Sequence, residues 1–297
     1  MGTLDLYLQQ LKKDESFRGY FGLVRMHGSK VASEILEGDT IKKITYAEQV
    51  TYCYATARRI SERVHAEAGT RFVGLRMGTG PMWPVVFWGI VMAGLNPILI
   101  DVRYQPEQAD HLLRQVNALA LFTDDASFDV AACQCIPVSE VLDDSGGECA
   151  YEPRWATHYA LCTSGTTATS KVYYYEAKTL CQQVSCIGSL TKDFAYTDAP
   201  YKSLAFLPFH HVFGLLTVFF LCNLFGGTIV YLSELTPNVI LNACRRHRVT
   251  HIFTVPLFWN NIAQNVMRKA KLGGPEREAM LQKLIRVSTM IQRRFPR

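Results

Sequence analysis

From Ile44 to Lys269 the chain alternates between two kinds of segment. Short apolar runs read as strands: Arg71–Met77, Pro97–Asp101, Ala118–Thr123, His158–Cys162, Ser203–Leu207, Thr228–Leu232 and Val249–Val255. Between them lie stretches with helical spacing. Ile44–Val64 opens with Thr45 and Glu48 spaced as a capping box, and Pro81–Ala93 has proline in its first turn and is stopped by Gly94. Pro106–Asn117, Ala177–Thr191, Gly214–Leu224, Pro237–Arg246 and Pro256–Lys269 continue the series. Strand–helix alternation of this kind demands right-handed crossovers, so the expected fold class is α/β, with mostly parallel sheets and helices on both faces. The segment 124–154 reads as irregular, and 267–297 as a basic helical stretch. No fixed-period repeat is present.

Two stretches, Met77–Ile100 and Ser203–Ser233, contain no Asp, Glu, Lys or Arg. Both exceed the ~18 residues that suggest a membrane span. Gly-Pro, Trp-Pro and Asn-Pro break the first, and Leu-Pro-Phe-His-His and Gly226-Gly227 break the second. A buried sheet flanked by buried helices produces the same runs. The expectation is therefore no integral span, with a multi-span membrane protein as the alternative that hydropathy alone supports. Apolar residues make up 48% and charged residues 19%, a composition that buries a core. The net charge of +5 falls short of a nucleic-acid footprint. The N-terminus has early charges and no apolar core, unlike a secretory signal. The nine cysteines are odd in number and none forms C-x-x-C. That argues against a disulfide framework or zinc ribbon and for a reducing, cytoplasmic setting. No metal-ligand set is expected from the sequence.

The chemically informative segment is Tyr159–Lys171, a strand running into a loop of small hydroxyl residues that ends in lysine. Backbone N–H groups and hydroxyls wrap phosphate oxygens, and a lysine adds a mobile positive charge. Three readings compete. In a Walker-type loop Gly165 and Lys171 keep the outer spacing, but Ser170 replaces the second glycine and Val172 the magnesium-binding hydroxyl. A surface loop without chemistry is the second. The third is the Thr/Ser/Gly loop of adenylate-forming enzymes.

Thr163–Lys171 resembles the T-S-G-T-T-G-x-P-K-G loop of the AMP-dependent synthetase and ligase superfamily, with Ala168, Ser170 and Val172 departing from it. Four further segments resemble that family in the same order. They are Ile44–Glu48 (I-T-Y-x-E), Val73-Gly74-Leu75 with Gly89–Pro97, Leu207–Gly214 (P-x-F-H-x-x-G with paired histidines) and Thr250–Leu257.

The resemblance implies an ATP-dependent ligase that joins a small-molecule carboxylic acid to ATP as an acyl-adenylate, releasing pyrophosphate. CoA or a carrier-protein thiol would then accept the acyl group, and an acyl-CoA synthetase is the favoured type. ATP and Mg2+ are the implied cofactors, with the magnesium acid expected outside this chain. Thr163, Ser164, Gly165, Thr166 and Thr167 would hold phosphates, and Lys171 would draw charge from the leaving pyrophosphate. His211 matches the histidine that orients the carboxylate. His210, Phe213 and Gly214 are candidates for the substrate pocket. The apolar Leu204–Leu232 region hints at a fatty or aromatic acid, although the same residues would serve as core.

Cys162, His247 and His251 are assigned to packing. The family's later motifs, Y-G-x-T-E among them, do not occur. Residues 1–297 thus resemble the N-terminal portion of the adenylating large domain, incomplete and lacking the C-terminal domain. Two interleaved subdomains are expected, about 70–195 and about 1–69 with 196–297. The isolated chain is expected to carry part of an ATP site and to show little or no adenylation. The alternative is a non-catalytic relative that binds a nucleotide or acyl group.

Overall fold

The computed structural model describes residues 3–65, 71–147, 149–163, 170–190 and 200–294. Two compact units are present, Met1–Phe253 and Thr254–Arg297.

The first unit contains two sheets, and the strand–helix alternation of the sequence is their source. The six-stranded sheet runs β6-β5-β3-β4-β7-β8. Its strands are β3 (Phe72–Arg76), β4 (Asn96–Leu99), β5 (Ala120–Thr123), β6 (Gln134–Pro137), β7 (His158–Thr163) and β8 (Lys171–Glu176). All neighbours are parallel except β7 and β8, which form an antiparallel hairpin. Both faces of this sheet are buried. Val73, Leu75, Leu99, Phe122, Tyr159 and Leu161 enter one core, while Phe72, Ile98, Leu121 and Ala160 enter a second. That period-two division explains why the strands read as unbroken apolar runs.

The four-stranded sheet runs β2-β1-β10-β9, from β1 (Val31–Glu37), β2 (Thr40–Thr45), β9 (Lys202–Leu204) and β10 (Thr228–Tyr231). Here β1 and β2 are antiparallel, and the other pairs are parallel.

Helices α1 (Thr3–Lys13), α2 (Phe17–Met26), α3 (Tyr46–Arg63), α4 (Trp83–Met92), α5 (Pro106–Gln115), α6 (Val138–Val141) and α7 (Ala177–Leu190) cover these sheets. The capping box is formed: the Glu48 N–H donates to Thr45 Oγ1 at 3.2 Å, and the Thr45 N–H donates to Glu48 Oε2 at 2.7 Å. Every residue of α4 is buried, as expected for a helix apolar on all sides. Among the described residues no helix is long and apolar enough to cross a membrane. Met77–Ile100 is instead a turn, the buried α4 and β4.

Ser203–Ser233 resolves into β9, a histidine-bearing turn, a helical stretch and β10. The helical stretch comprises Val212–Gly214, a π-helical segment Leu215–Phe220 and Leu221–Phe225. It ends at Gly226, whose φ of +62° is the left-handed cap glycine adopts without a Cβ penalty. Leu215, Val218, Phe219, Phe220, Leu221 and Leu224 are all core residues. The core use that the sequence also allowed for this region accounts for its apolar character. One expected strand is absent: Val249–Val255 contributes only the single bridge Ser203↔His251.

The second unit pairs two helices, Pro256–Leu272 and Pro275–Arg294, with Leu257, Leu272, Met280 and Met290 exposed.

Candidate active site

In open parallel sheets the carboxyl ends of the strands carry the ligand crevice, because the loops leaving them diverge. The carboxyl ends of β3, β4, β9 and β10 all meet at one cleft of about 390 Å³. It is lined by Met77, Gly78 and Thr79 after β3, Asp101–Arg103 after β4, Ala205–Pro208 and His210 after β9, and Leu232–Leu235 after β10. Both sheets thus contribute to one cavity within the first unit.

The histidine turn is held from two sides. The Phe209 N–H donates to Thr79 Oγ1 at 3.4 Å, and the Leu215 N–H donates to the His211 carbonyl at 2.9 Å. Gly214 closes the turn because nothing larger fits. A Cβ there would lie 2.3 Å from the Pro208 carbonyl oxygen and 3.0 Å from Leu207 Cβ. This is the physical reason for glycine at the end of P-F-H-H-x-x-G.

His210 is buried and His211 is the more open of the pair. Their ring centroids are 4.4 Å apart. His210 Nε2 lies 3.3 Å from Asp101 Oδ2, a charge contact, and this buried nitrogen makes no well-formed hydrogen bond. Burial pushes the His210 imidazole down to about 4, against the opposing pull of Asp101, so the ring is neutral at physiological pH. For Asp101, burial works upward, but hydrogen bonds from Arg103 and the nearby His210 outweigh it and hold the carboxyl at about 2. Arg103 grips that carboxylate with Nε at 3.0 Å and Nη2 at 2.6 Å.

The loop carrying Asp101 is fixed from beneath. Arg76, at the end of β3, donates through Nη2 to the Val102 carbonyl at 2.5 Å, and its guanidinium lies 3.7 Å from the Phe128 ring centroid.

The phosphate-loop candidates divide. Ser164, Gly165, Thr166 and Thr167 lie outside the described residues. Thr163 and Lys171 are the last pair of the β7–β8 hairpin, with Lys171 exposed. The parallel register Ile98↔Ala160 and Leu99↔Leu161 runs β4 and β7 in step. Thr163 and Asp101 accordingly lie at the same carboxyl edge of the sheet. Tyr104 spans the gap: its phenol bonds to the Ser170 side chain and feels the charges of Asp101 and Arg103. The hairpin mouth and the histidine turn therefore face one edge of the molecule.

Of the histidine-turn candidates only His210 lines the cleft; His211 and Phe213 are exposed, Gly214 is buried, and none of these three lines it. Cys162 is pushed up to about 12 by burial, which leaves its thiol protonated and inert. His247 is buried against Glu34 at 3.0 Å, and His251 stacks on Tyr201 at 4.2 Å, both packing roles. Asp101 and Arg103 are the site residues that sequence patterns missed. The one available signal is an ionisable residue closing the otherwise apolar run Pro97–Asp101.

A family model for AMP-binding enzymes matches residues 24–291. The chain belongs to that family. Solved structures share the fold. One is o-succinylbenzoate CoA synthetase (MenE) from Bacillus subtilis, bound to a product analogue. It is 19% identical, with a TM-score of 0.69 over 87% of this chain and 52% of that one. The N-terminal subdomain of NpsA from Klebsiella oxytoca is 14% identical, with a TM-score of 0.64 over 79% of this chain and 59% of that one. The inhibitor-bound N-terminal domain of FACL13 from Mycobacterium tuberculosis is 18% identical, with a TM-score of 0.65 over 82% and 65%. The chain thus spans between about half and two-thirds of the length of these solved chains. An adenylate-forming family and a mixed α/β architecture of two helix-flanked sheets are the shared properties.

Proposed function

We propose that this chain is the N-terminal portion of a cytoplasmic ATP-dependent ligase that activates a carboxylic acid as an acyl-adenylate, with CoA or a carrier-protein thiol as the final acceptor. Two interleaved subdomains, each built on one sheet, would frame the site. The observation that carries the reading is that the Thr163–Lys171 end of the hairpin and the Asp101 loop, which His210 touches at 3.3 Å, lie at the same carboxyl edge, with Tyr104 of that loop bonded to Ser170.

The barrier to the reaction is electrostatic. A carboxylate oxygen must approach the α-phosphorus of a polyanion, form a P–O bond and expel pyrophosphate, so catalysis rests on positioning and charge neutralisation. Lys171, exposed at the end of the hairpin, would draw charge from the departing phosphates. His211, open to solvent, orients the incoming carboxylate. Thr163 to Thr167 supply hydroxyls and N–H groups to the phosphates. His210 forms a neutral wall that does not compete for the carboxylate. Mg2+ would arrive with ATP. Two imidazoles and one carboxylate are not the all-oxygen octahedral set that Mg2+ prefers, so none of these residues is assigned to it.

A second reading is a non-catalytic nucleotide or acyl binder, favoured by Ala168, Ser170 and Val172 in place of the family's loop residues. Binding of a fluorescent ATP analogue with Mg2+ tests the shared core of both readings. Saturable binding that weakens about tenfold or more in Lys171→Ala supports it, and absence of binding rejects it. Carboxylate-dependent exchange of labelled pyrophosphate into ATP separates the two in the longer protein. The chain alone is expected to exchange near background.

A further inference from the structure

We propose that Asp101, His210 and His211 form a binding site for a transition-metal dication of the Zn2+ class. The site shares His210 and His211 with the adenylation reading, but metal binding is measured without nucleotide or acid, so its failure and the failure of that reading are distinguishable.

One carboxylate oxygen and one nitrogen from each imidazole all lie within 4.8 Å of one another. Two histidines and one carboxylate are a ligand set that zinc takes in sites keeping a fourth position open. With Zn–N and Zn–O bonds of about 2.0–2.2 Å, tetrahedral ligand atoms stand roughly 3.3–3.5 Å apart. Asp101 Oδ2 and His210 Nε2, at 3.3 Å, already meet that spacing. All three atoms already lie within 4.8 Å, so His211 needs to close by at most about 1.5 Å, and its open position permits this.

A second observation points independently to a ligand. His210 Nε2 is a buried nitrogen on a side chain more than nine-tenths buried, and it has no hydrogen-bond partner. Buried polar atoms left in that condition carry a desolvation cost that a bound cation removes. The atom faces the Asp101 carboxylate, where the cation would sit.

Arg103 is the competitor. It holds both Asp101 oxygens, but its own side chain is 74% exposed. Asp101 is buried and needs a positive partner, so Arg103 can swing into solvent only as a dication takes over that role. A dication and Arg103 therefore exclude each other on Asp101, and this gives the proposal its distinguishing prediction. Removing the arginine should tighten metal binding, whereas removing the carboxylate should weaken it.

The test is a calorimetric titration of the whole chain with ZnCl2, paired with Co2+ substitution followed by visible absorption. The expected result is saturation near one equivalent and cobalt d–d bands without a thiolate charge-transfer band. Asp101→Asn should weaken binding by at least about tenfold, and Arg103→Gln should tighten it several-fold. Absence of saturation overturns the proposal. So does a thiolate band, which would assign the metal to some of the nine free cysteines. If Asp101→Asn fails to fold by circular dichroism, Arg103→Gln decides alone, and unchanged or weaker binding in that variant overturns the proposal.

Discussion

Gly214→Ala is the sharpest probe of how the histidine turn is built. The added methyl would stand 2.3 Å from the Pro208 carbonyl oxygen, 3.0 Å from Leu207 Cβ and 3.0 Å from the Leu207 carbonyl oxygen. Carbon atoms in packed interiors sit about 3.5–4.0 Å apart, so something must move by about 1 Å. Two of the three obstructing atoms belong to the backbone and cannot yield by changing rotamer. Overpacking of this kind costs roughly 1–3 kcal/mol.

Gly22, inside α2, supplies the control. A Cβ there meets nothing within 4 Å, so Gly22→Ala should gain about 0.5–1 kcal/mol from helix propensity alone. At roughly 2–4 °C per kcal/mol for a large domain, Gly214→Ala should lower Tm by several degrees while Gly22→Ala raises it slightly. Chemical denaturation gives the same comparison in free energy, with an expected separation of roughly 2–3 kcal/mol. The backbone that moves also carries His210, so Gly214→Ala should weaken Zn2+ and nucleotide binding beyond any loss of folded protein. Equal stabilities for the two variants would refute the packing argument.

His27 predicts a pH dependence. Its Nε2–H donates to the Asn223 carbonyl at 2.7 Å, Nδ1 is buried without a partner, and Tyr7 and Tyr46 flank the ring. Burial lowers its pKa from 6.5 to about 4. Between those values the unfolded chain binds a proton that the folded chain refuses, so stability is full above about 6.5 and falls as pH drops towards 4. The slope is about 1.4 kcal/mol per pH unit and the total up to about 3 kcal/mol. Denaturation at stepped pH checks this, and His27→Gln should remove about one proton's worth of slope. A second prediction concerns Glu34, a buried carboxylate bonded to Lys202 Nζ at 2.7 Å and to His247 Nδ1 at 3.0 Å. Glu34→Gln breaks a buried pair and should cost roughly 3 kcal/mol in urea denaturation, and a loss under 1 kcal/mol would show the network to be dispensable.

The parallel strands were legible because burial on both faces prints them as apolar runs, as in Phe72–Arg76 and Ala120–Thr123. The β1–β2 hairpin left no such trace. β2 carries Lys42 and Lys43 on an exposed edge, and β1 hides Glu34 in its centre. β6 has only four residues, too few for a pattern. Val249–Val255 misled for the opposite reason. It has strand-like residues, but it meets the free edge of β9 at the single bridge Ser203↔His251 and does not stay beside it.

In the candidate site, the turn histidines and the loop lysine stood out because they lie in contiguous runs that resemble family motifs, and Gly214 because its turn admits no Cβ. Asp101 did not. Its role comes from a pairing with His210 that only the assembled sheets create, and no local pattern records a contact between distant loops.

Ring signals of the eight histidines, followed by NMR in protein labelled at histidine, report directly on where a reaction-intermediate mimic binds. On titration with a non-hydrolysable acyl-sulfamoyl adenosine, the His210 and His211 rings should shift while His27, His158 and His247 stay in place. Shifts confined to the latter group, or none at saturating ligand, would contradict the assignment of the carboxyl-edge cleft as the place where carboxylate and nucleotide meet.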